Sequence, residues 1–329
     1  MLSQIYPHIY CNQIPLPNNP LKYLNSYIIV SPDRNLIIDT GFNQPECEAA
    51  LLGGIIELGL DLTKTDVLLT HRHSDHAGLA GLLEQKGAHI YVGAKEKSAI
   101  QEMFNPAFWN GMDNLMTQYG LDEYGITVNN HPGYRYRSQI ISHCTSLSEG
   151  ATLTYGDYTF SVIDIPGHTP GQIGLYEAKH HLFFCGDHIL ISITPNITFW
   201  GFEQDSLAQY LDSLRKVSTL SIDWLFTGHR EIVRDHKARI SQLIIHHETR
   251  LAETMQILES GSQSSAQVAA RMKWEIRAKN WDDFPKAQKW FATGEAAAHL
   301  EYLFNTRRIL RKEIEGTLYY YKESEAGKS

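Results

Sequence analysis

Short apolar runs separated by turn-forming residues dominate the first part of the chain, and helical periodicity takes over towards its end. Tyr27–Val30 and Leu36–Asp39 read as strands, joined by Ser31-Pro32-Asp33-Arg34-Asn35, whose residue types favour a turn. Pro45–Leu58 reads as a helix with proline in its first turn. Val67-Leu68-Leu69 reads as a buried strand, followed by a helix from His76 through Lys86 that stops at Gly87, and then by a strand at His89–Val92. The proline- and asparagine-rich residues 1–20 read as an irregular lead-in.

Residues 94–150 form the least regular stretch. A helix is expected over Lys95–Phe104 and another up to Tyr119, with Phe104, Phe108, Trp109, Met112, Met116 and Tyr119 recurring at helical spacing. That pattern fits a packed apolar face, and it also fits a lid or pocket wall, because a large insert without an obvious core role is often functional. Tyr134-Arg135-Tyr136-Arg137 reads as a solvated strand edge, with binding of an acyl carrier or a nucleotide as the alternative.

Strand patterns return over residues 151–186, with a hairpin made by Gly174–Ala178 and His181–Cys185. Asp205–Val217 carries Leu207, Tyr210, Leu211, Leu214 and Val217 on one helical face, and Asp223–Thr227 is the last strand of this pattern. From Ala238 the chain turns helical, with segments through Gln267–Arg271 and Ala287–Trp290 and a helix Ala296–Arg308 opened by Thr293-Gly294-Glu295. Two short strands, Ile309–Ile314 and Thr317–Tyr321, close it. Helices ending in a β-hairpin resemble a winged-helix module, which would put Arg307 and Arg308 at the recognition-helix position and Arg311 and Lys312 at the start of the wing. The expected division is a domain over residues 1–236, including the helical insert 94–150, and a helical, winged-helix-like domain over 237–329.

At 329 residues and 43% hydrophobic content the chain has room for one large domain and a smaller one. No apolar run approaches the ~20 residues of a membrane-spanning helix. The start of the chain lacks the basic and apolar regions of a signal peptide, and Cys11, Cys47, Cys144 and Cys185 show no paired spacing. Both features imply a cytoplasmic protein with free thiols. The net charge of −8 is uneven: 25 acidic against 14 basic residues up to position 236, and 12 against 15 beyond it. The acidic part disfavours prolonged contact with a phosphate backbone. A homo-oligomer is compatible with all of this.

The chemistry concentrates in Thr70-His71-Arg72-His73-Ser74-Asp75-His76-Ala77-Gly78, where His71, His73, Asp75 and His76 fall within six positions at a strand-to-helix junction. On extended backbone His71 and His73 point the same way. Imidazole with carboxylate suits zinc, and also manganese or iron. Three later segments repeat the device of strand, glycine and ligand type: Ile163-Asp164-Ile165-Pro166-Gly167-His168, Phe184-Cys185-Gly186-Asp187 and Leu225-Phe226-Thr227-Gly228-His229. Cys185 reads as a packing residue.

The order His-x-His-x-Asp-His, then His, Asp and His, resembles the metallo-β-lactamase superfamily over residues 20–235. The resemblance implies an α/β fold, the four-layer αββα sandwich, with two divalent metal ions. Residue by residue it implies His71, His73 and His168 on one ion, Asp75, His76 and His229 on the other, and Asp187 between them. It also implies a supporting role for Asp39 of Asp39-Thr40-Gly41. A hydroxide shared by the ions would attack, Asp75 would help accept a proton, and no serine or cysteine nucleophile would be needed. His73 sets the motif apart from diiron reductases, and Asp75 with Asp187 resembles the glyoxalase-II-type thioesterases. Their glutathione-site stretch has no counterpart in Ile189–Ile197. The expected activity is hydrolysis of a thioester or related acyl ester of a small molecule. A phosphodiesterase or endoribonuclease and a nucleic-acid-binding regulator stand as alternatives.

Overall fold

The computed structural model describes residues 1–103, 106–232, 235–275 and 278–323. A seven-stranded sheet runs in chain order through β1 (Leu2–Tyr6), β2 (Ile9–Pro15), β3 (Tyr23–Ile29), β4 (Asn35–Ile38), β5 (Thr65–Leu69), β6 (His89–Gly93) and β7 (Cys144–Leu147). Its first three pairings are antiparallel and its last three parallel. A five-stranded sheet contains β8 (Thr152–Tyr155), β9 (Tyr158–Asp164), β10 (Ile173–Glu177), β11 (Leu182–Gly186) and β12 (Trp224–Thr227), with β11 and β12 parallel.

Alternation along the strands explains how the sheets stack. Leu36, Ile38 and Leu68 face inward to meet Phe160, Val162, Leu175, Phe184 and Phe226 of the other sheet. Ile37, Val67 and Leu69 face outward and are covered by α1 (Pro45–Glu57) and by α3 (Ala80–Gln85), which follows the short α2 (Ser74–Ala77). Phe183 and Cys185 face outward on the second sheet. They are covered by α7 (Ser206–Ser218), α8 (His236–Ile257), α9 (Ser265–Arg271) and α10 (Lys286–Asn305). The result is the four-layer αββα sandwich with a C-terminal helical region. Between β6 and β7 of the first sheet the chain adds α4 (Ala94–Glu102), α5 (Pro106–Tyr119) and α6 (Pro132–Arg135). A small sheet β13 (Gln263–Ser264), β15 (Thr317–Tyr321) and β14 (Leu310–Ile314), in that order, ends the described chain. No helix among the described residues is long and apolar enough to cross a membrane.

Several expectations are corrected. Residues 1–20 are largely two strands: Asn12, which breaks the apolar pattern, is buried because its amide donates to Ala50 O at 3.0 Å. The helix expected from His76 to Lys86 is broken after Ala77, since the His76 carbonyl is taken by the amide and hydroxyl of Thr40 at 2.8 and 2.7 Å. The helices expected at Ala287–Trp290 and Ala296–Arg308 are one. Gly294 lies inside α10 because a Cβ there would overlap Thr198 Oγ1, and its carbonyl accepts from Phe199 N at 3.1 Å. Tyr134 and Arg135 belong to a helical turn opened by Pro132, so this segment is no strand edge. Arg137 stacks back on the Tyr134 ring at 4.4 Å.

On α5, Trp109, Met116 and Tyr119 are buried, and Phe104 lies outside the described residues. The helix docks on the C-terminal part of the chain: Thr317 Oγ1 donates to Thr117 O at 3.0 Å, and Lys286 Nζ donates to Gly125 O at 2.6 Å, just beyond it.

Candidate metal centre

Every element that delivers a candidate ligand ends at the same edge of the sandwich. The loop after β5 brings His71 and His73, and α2 brings Asp75 and His76. The turns after β9, β11 and β12 bring His168, Asp187 and His229. Backbone hydrogen bonds lace these ends together: Ile173 N donates to Thr70 O at 3.0 Å, Gly228 N to Gly186 O at 2.8 Å, and Asn25 N to Gly228 O at 2.8 Å. Asn25 Nδ2 donates to Thr227 O and Arg230 O, and Tyr27 Oη to Thr227 O, so the Asn25-Ser26-Tyr27 strand holds the His229 turn. A Cβ at Gly228 would overlap Asp187 Oδ1 and come within 2.8 Å of His76 Cε1, which explains the glycine before His229.

All seven sequence-predicted residues are brought together. His71, His73 and His168 form one group with donor atoms within 4.8 Å of one another; Asp75, His76 and His229 form a second; His71, His76 and Asp187 form a third that joins them. His71 Nε2 lies 3.1 Å from His73 Nδ1. Two nitrogens at ~2.0–2.1 Å on one tetrahedral zinc ion lie about 3.3 Å apart, so this spacing fits a shared ion. Asp187 reaches across: Oδ1 is 3.4 Å from His76 Nε2, while Oδ2 is 3.4 Å from His229 Nε2 and 3.9 Å from His168 Nε2. Asp75 Oδ2 is 3.3 Å from His229 Nε2.

The far side of each ring is fixed by a partner. His76 Nδ1 meets Asp39 Oδ2 at 2.7 Å, His168 Nδ1 donates to Asn196 O at 2.7 Å, and His229 Nδ1 donates to Tyr23 O at 2.8 Å. His71 Nδ1 meets Thr70 Oγ1 at 3.0 Å, whose hydroxyl donates to Asp39 Oδ2. Those bonds leave the opposite nitrogens with lone pairs turned inward. His76 Nε2, His168 Nε2, His229 Nε2 and Asp187 Oδ1 are buried with no hydrogen-bond partner. A cation is what a cluster of buried lone pairs requires.

The electrostatics divide the cluster. Burial pushes the pKa of His71, His73 and His168 down, with neighbouring imidazoles adding to the effect for His71 and His73. Burial acts the same way on His76 and His229, but the neighbouring carboxylates together outweigh it, Asp187, Asp39 and Asp75 raising His76 well above the usual value and Asp187 with Asp75 raising His229 to about 9. Burial would raise both acids, yet the same histidines hold Asp75 down at about 2 and Asp187 well below the usual range.

Sequence reasoning missed Glu96, Asn196 and Trp200. Glu96 is an acid buried on α4 along with Ala99 and Ile100, and its Oε2 accepts from Arg72 Nε at 2.6 Å. Asn196 and Trp200 lie in a loop without periodicity, where only the fold shows that they touch His168. His188, next to Asp187 in the chain, is fully buried with its ring edge-on to Tyr210. Cys185 packs in the core away from the cluster, as expected, and all four cysteines are free.

The comparisons agree with this geometry. The chain is 25% identical to the probable metallo-hydrolase YqjP of Bacillus subtilis over 306 residues, 89% of this chain and 92% of that one. It is 24% identical to the human acyl-coenzyme A thioesterase MBLAC2 over 172 residues, 50% of this chain and 57% of the relative. A metallo-β-lactamase family protein of Thermus thermophilus superposes with a TM-score of 0.83 at 25% identity, covering 97% of this chain and 100% of the other. With the family model for the metallo-β-lactamase superfamily matching residues 21–229, the span that carries all seven clustered side chains, the chain belongs to that superfamily of metal-dependent hydrolases.

Proposed function

We propose that this protein is a dinuclear metallohydrolase, most at home with zinc, that cleaves a thioester or related acyl ester of a small molecule. His71, His73 and His168 would hold one ion, Asp75, His76 and His229 would hold the other, and Asp187 would serve both. The observation that carries this reading is the set of buried, partnerless donor atoms on His76, His168, His229 and Asp187, each ring fixed from behind. Imidazole and carboxylate donors also accommodate manganese or iron. Bound there, the ions supply Lewis acidity and lower the pKa of water towards neutrality.

The chain's own residues do the rest. Asp39, Asn196 and Tyr23 O orient imidazoles, and Asp187 spans the two groups. Asp75, the more open of the two clustered carboxylates, is placed to take a proton at its free oxygen. Ser74, the serine beside the ligands, donates its hydroxyl to Pro132 O at 3.2 Å, so it is a structural residue.

Two features support an acyl substrate. MBLAC2 is an acyl-coenzyme A thioesterase by name. Aromatic side chains also gather where α6, held to α2 by the Ser74–Pro132 hydrogen bond, lies near α5 and α10: His131 lies 5.7 Å from Trp109, 5.3 Å from Trp290 and 5.7 Å from Phe291. We read the C-terminal region as winged-helix-like and, through Trp290 and Phe291, as one side of this aromatic cluster. Its Arg311, expected at a nucleic-acid-binding wing, is instead paired with Glu301 at 2.6 Å and stacked on Phe304.

The zinc-loaded enzyme is to be assayed against acyl thioesters of graded chain length by thiol release, with fluorescent RNA and DNA in parallel. Thiol release without nuclease activity is expected. Nuclease activity, with every thioester intact, would overturn the acyl assignment.

A further inference from the structure

The Glu96 carboxylate is wholly buried at the start of α4 and stands outside the seven-residue cluster. Its oxygens are divided between two loops. Oε2 accepts from Arg72 Nε at 2.6 Å, while Oε1 accepts from Thr169 Oγ1 and from Gly171 N at 3.0 Å. Arg72 lies between His71 and His73, and Thr169 follows His168. Arg72 is joined directly to both histidines in the short loop after β5, so anchoring its guanidinium tethers the backbone that carries both imidazoles. Trp200 adds a second strap. Its Nε1 donates to His168 O at 3.0 Å, its ring lies 4.9 Å from the Arg72 guanidinium, and the same ring is 5.8 Å from His73.

We propose that Glu96 is a positioning residue: through Arg72 and Thr169 it holds His71, His73 and His168 at the separation one ion requires. Glu96 then backs only the position of His71, His73 and His168, whereas Asp39 stands behind His76 and, through Thr70, behind His71. This rests on the dinuclear reading above. A buried ion pair contributes little net stability, and replacing both partners by apolar groups of similar volume is often neutral. A purely structural pair would therefore leave ion binding intact once both members are replaced.

Zinc is to be titrated into the metal-free full chain against a chromogenic chelator for the wild type, Glu96→Gln and the double variant Arg72→Met with Glu96→Met, alongside thermal melts of each metal-free protein. The wild type is expected to take two ions. Both variants should bind one of them unchanged and the other about 10–100-fold more weakly, the usual effect of removing a group that orients a ligand. If Glu96→Gln does not fold, the double variant carries the test. Two unchanged affinities, an equal loss at both positions, or a fall in melting temperature alone would overturn the proposal. A wild-type chain that takes up no ion would instead fail the dinuclear reading, and this inference with it.

Discussion

Asp39 Oδ2 lies 2.7 Å from His76 Nδ1, and the same oxygen accepts the Thr70 hydroxyl at 2.8 Å while Oδ1 accepts Thr70 N at 2.8 Å. One carboxylate thereby orients His76 directly and His71 through Thr70. Asp39 does so from a left-handed backbone conformation, φ 62°, which costs on the order of 1–3 kcal/mol and persists where the surroundings fix it. Asp39→Asn keeps the shape and removes the charge. Zinc affinity in chelator competition should fall about 10–100-fold, and an unchanged affinity would show that the carboxylate does not tune the cluster.

Gly228 makes room for Asp187 and His76. Gly228→Ala places a methyl group where those side chains converge, so zinc uptake should be lost in a protein whose circular dichroism still shows the sandwich. Normal uptake by this variant would mean that the donor atoms converge elsewhere.

Ser74 sits among the ligands yet gives its hydroxyl to Pro132 O. Ser74→Ala should keep thioester turnover of the same order and lose at most about 1 kcal/mol of stability, the scale of one hydrogen bond. Abolished turnover with two ions still bound would point to a serine nucleophile and against attack by activated water.

His247 and His299 are buried together, Nδ1 to Nε2 at 3.1 Å, between α8 and α10. Burial, with repulsion from Arg250 and His246, pushes His299 down to about 3 and His247 well below its ordinary value. The unfolded chain takes up these protons near pH 6.5, so it binds more protons below that pH. The stability contribution is whole above pH ~6.5 and is lost as pH falls towards the folded values. Urea melts at about pH 7.5 and 5.5 should show a loss of ~1.4 kcal/mol for each of these histidines. The variant His247→Leu with His299→Leu should lose correspondingly less over the same interval, and equal losses would refute the assignment.

How much was legible beforehand follows from where each signal lives. The seven clustered side chains were readable because four fall within six positions after a strand and the other three each follow a strand and a glycine, local patterns that survive without coordinates. The hairpin at residues 315–316 was readable for the same reason, with Glu315 and Gly316 both at positive φ. What failed depended on distant partners. Asn12 belongs to a proline- and asparagine-rich stretch that reads as irregular, yet Ala50 O satisfies its amide within a strand, and Gly294 reads as part of a helix start, yet it lies inside α10 with Thr198 packed against it. Glu96 carried no signal, since a buried acid and a solvated helical one have the same letter.

The most direct measurement is the metal stoichiometry of the full chain, by elemental analysis after chelation and reloading with zinc. It should be made for the wild type and for His168→Ala, Asp187→Asn and His229→Ala. Two ions per wild-type chain, with the second lost in each variant, is the predicted result. No bound ion, or two ions retained when these three residues are replaced in turn, would contradict the account.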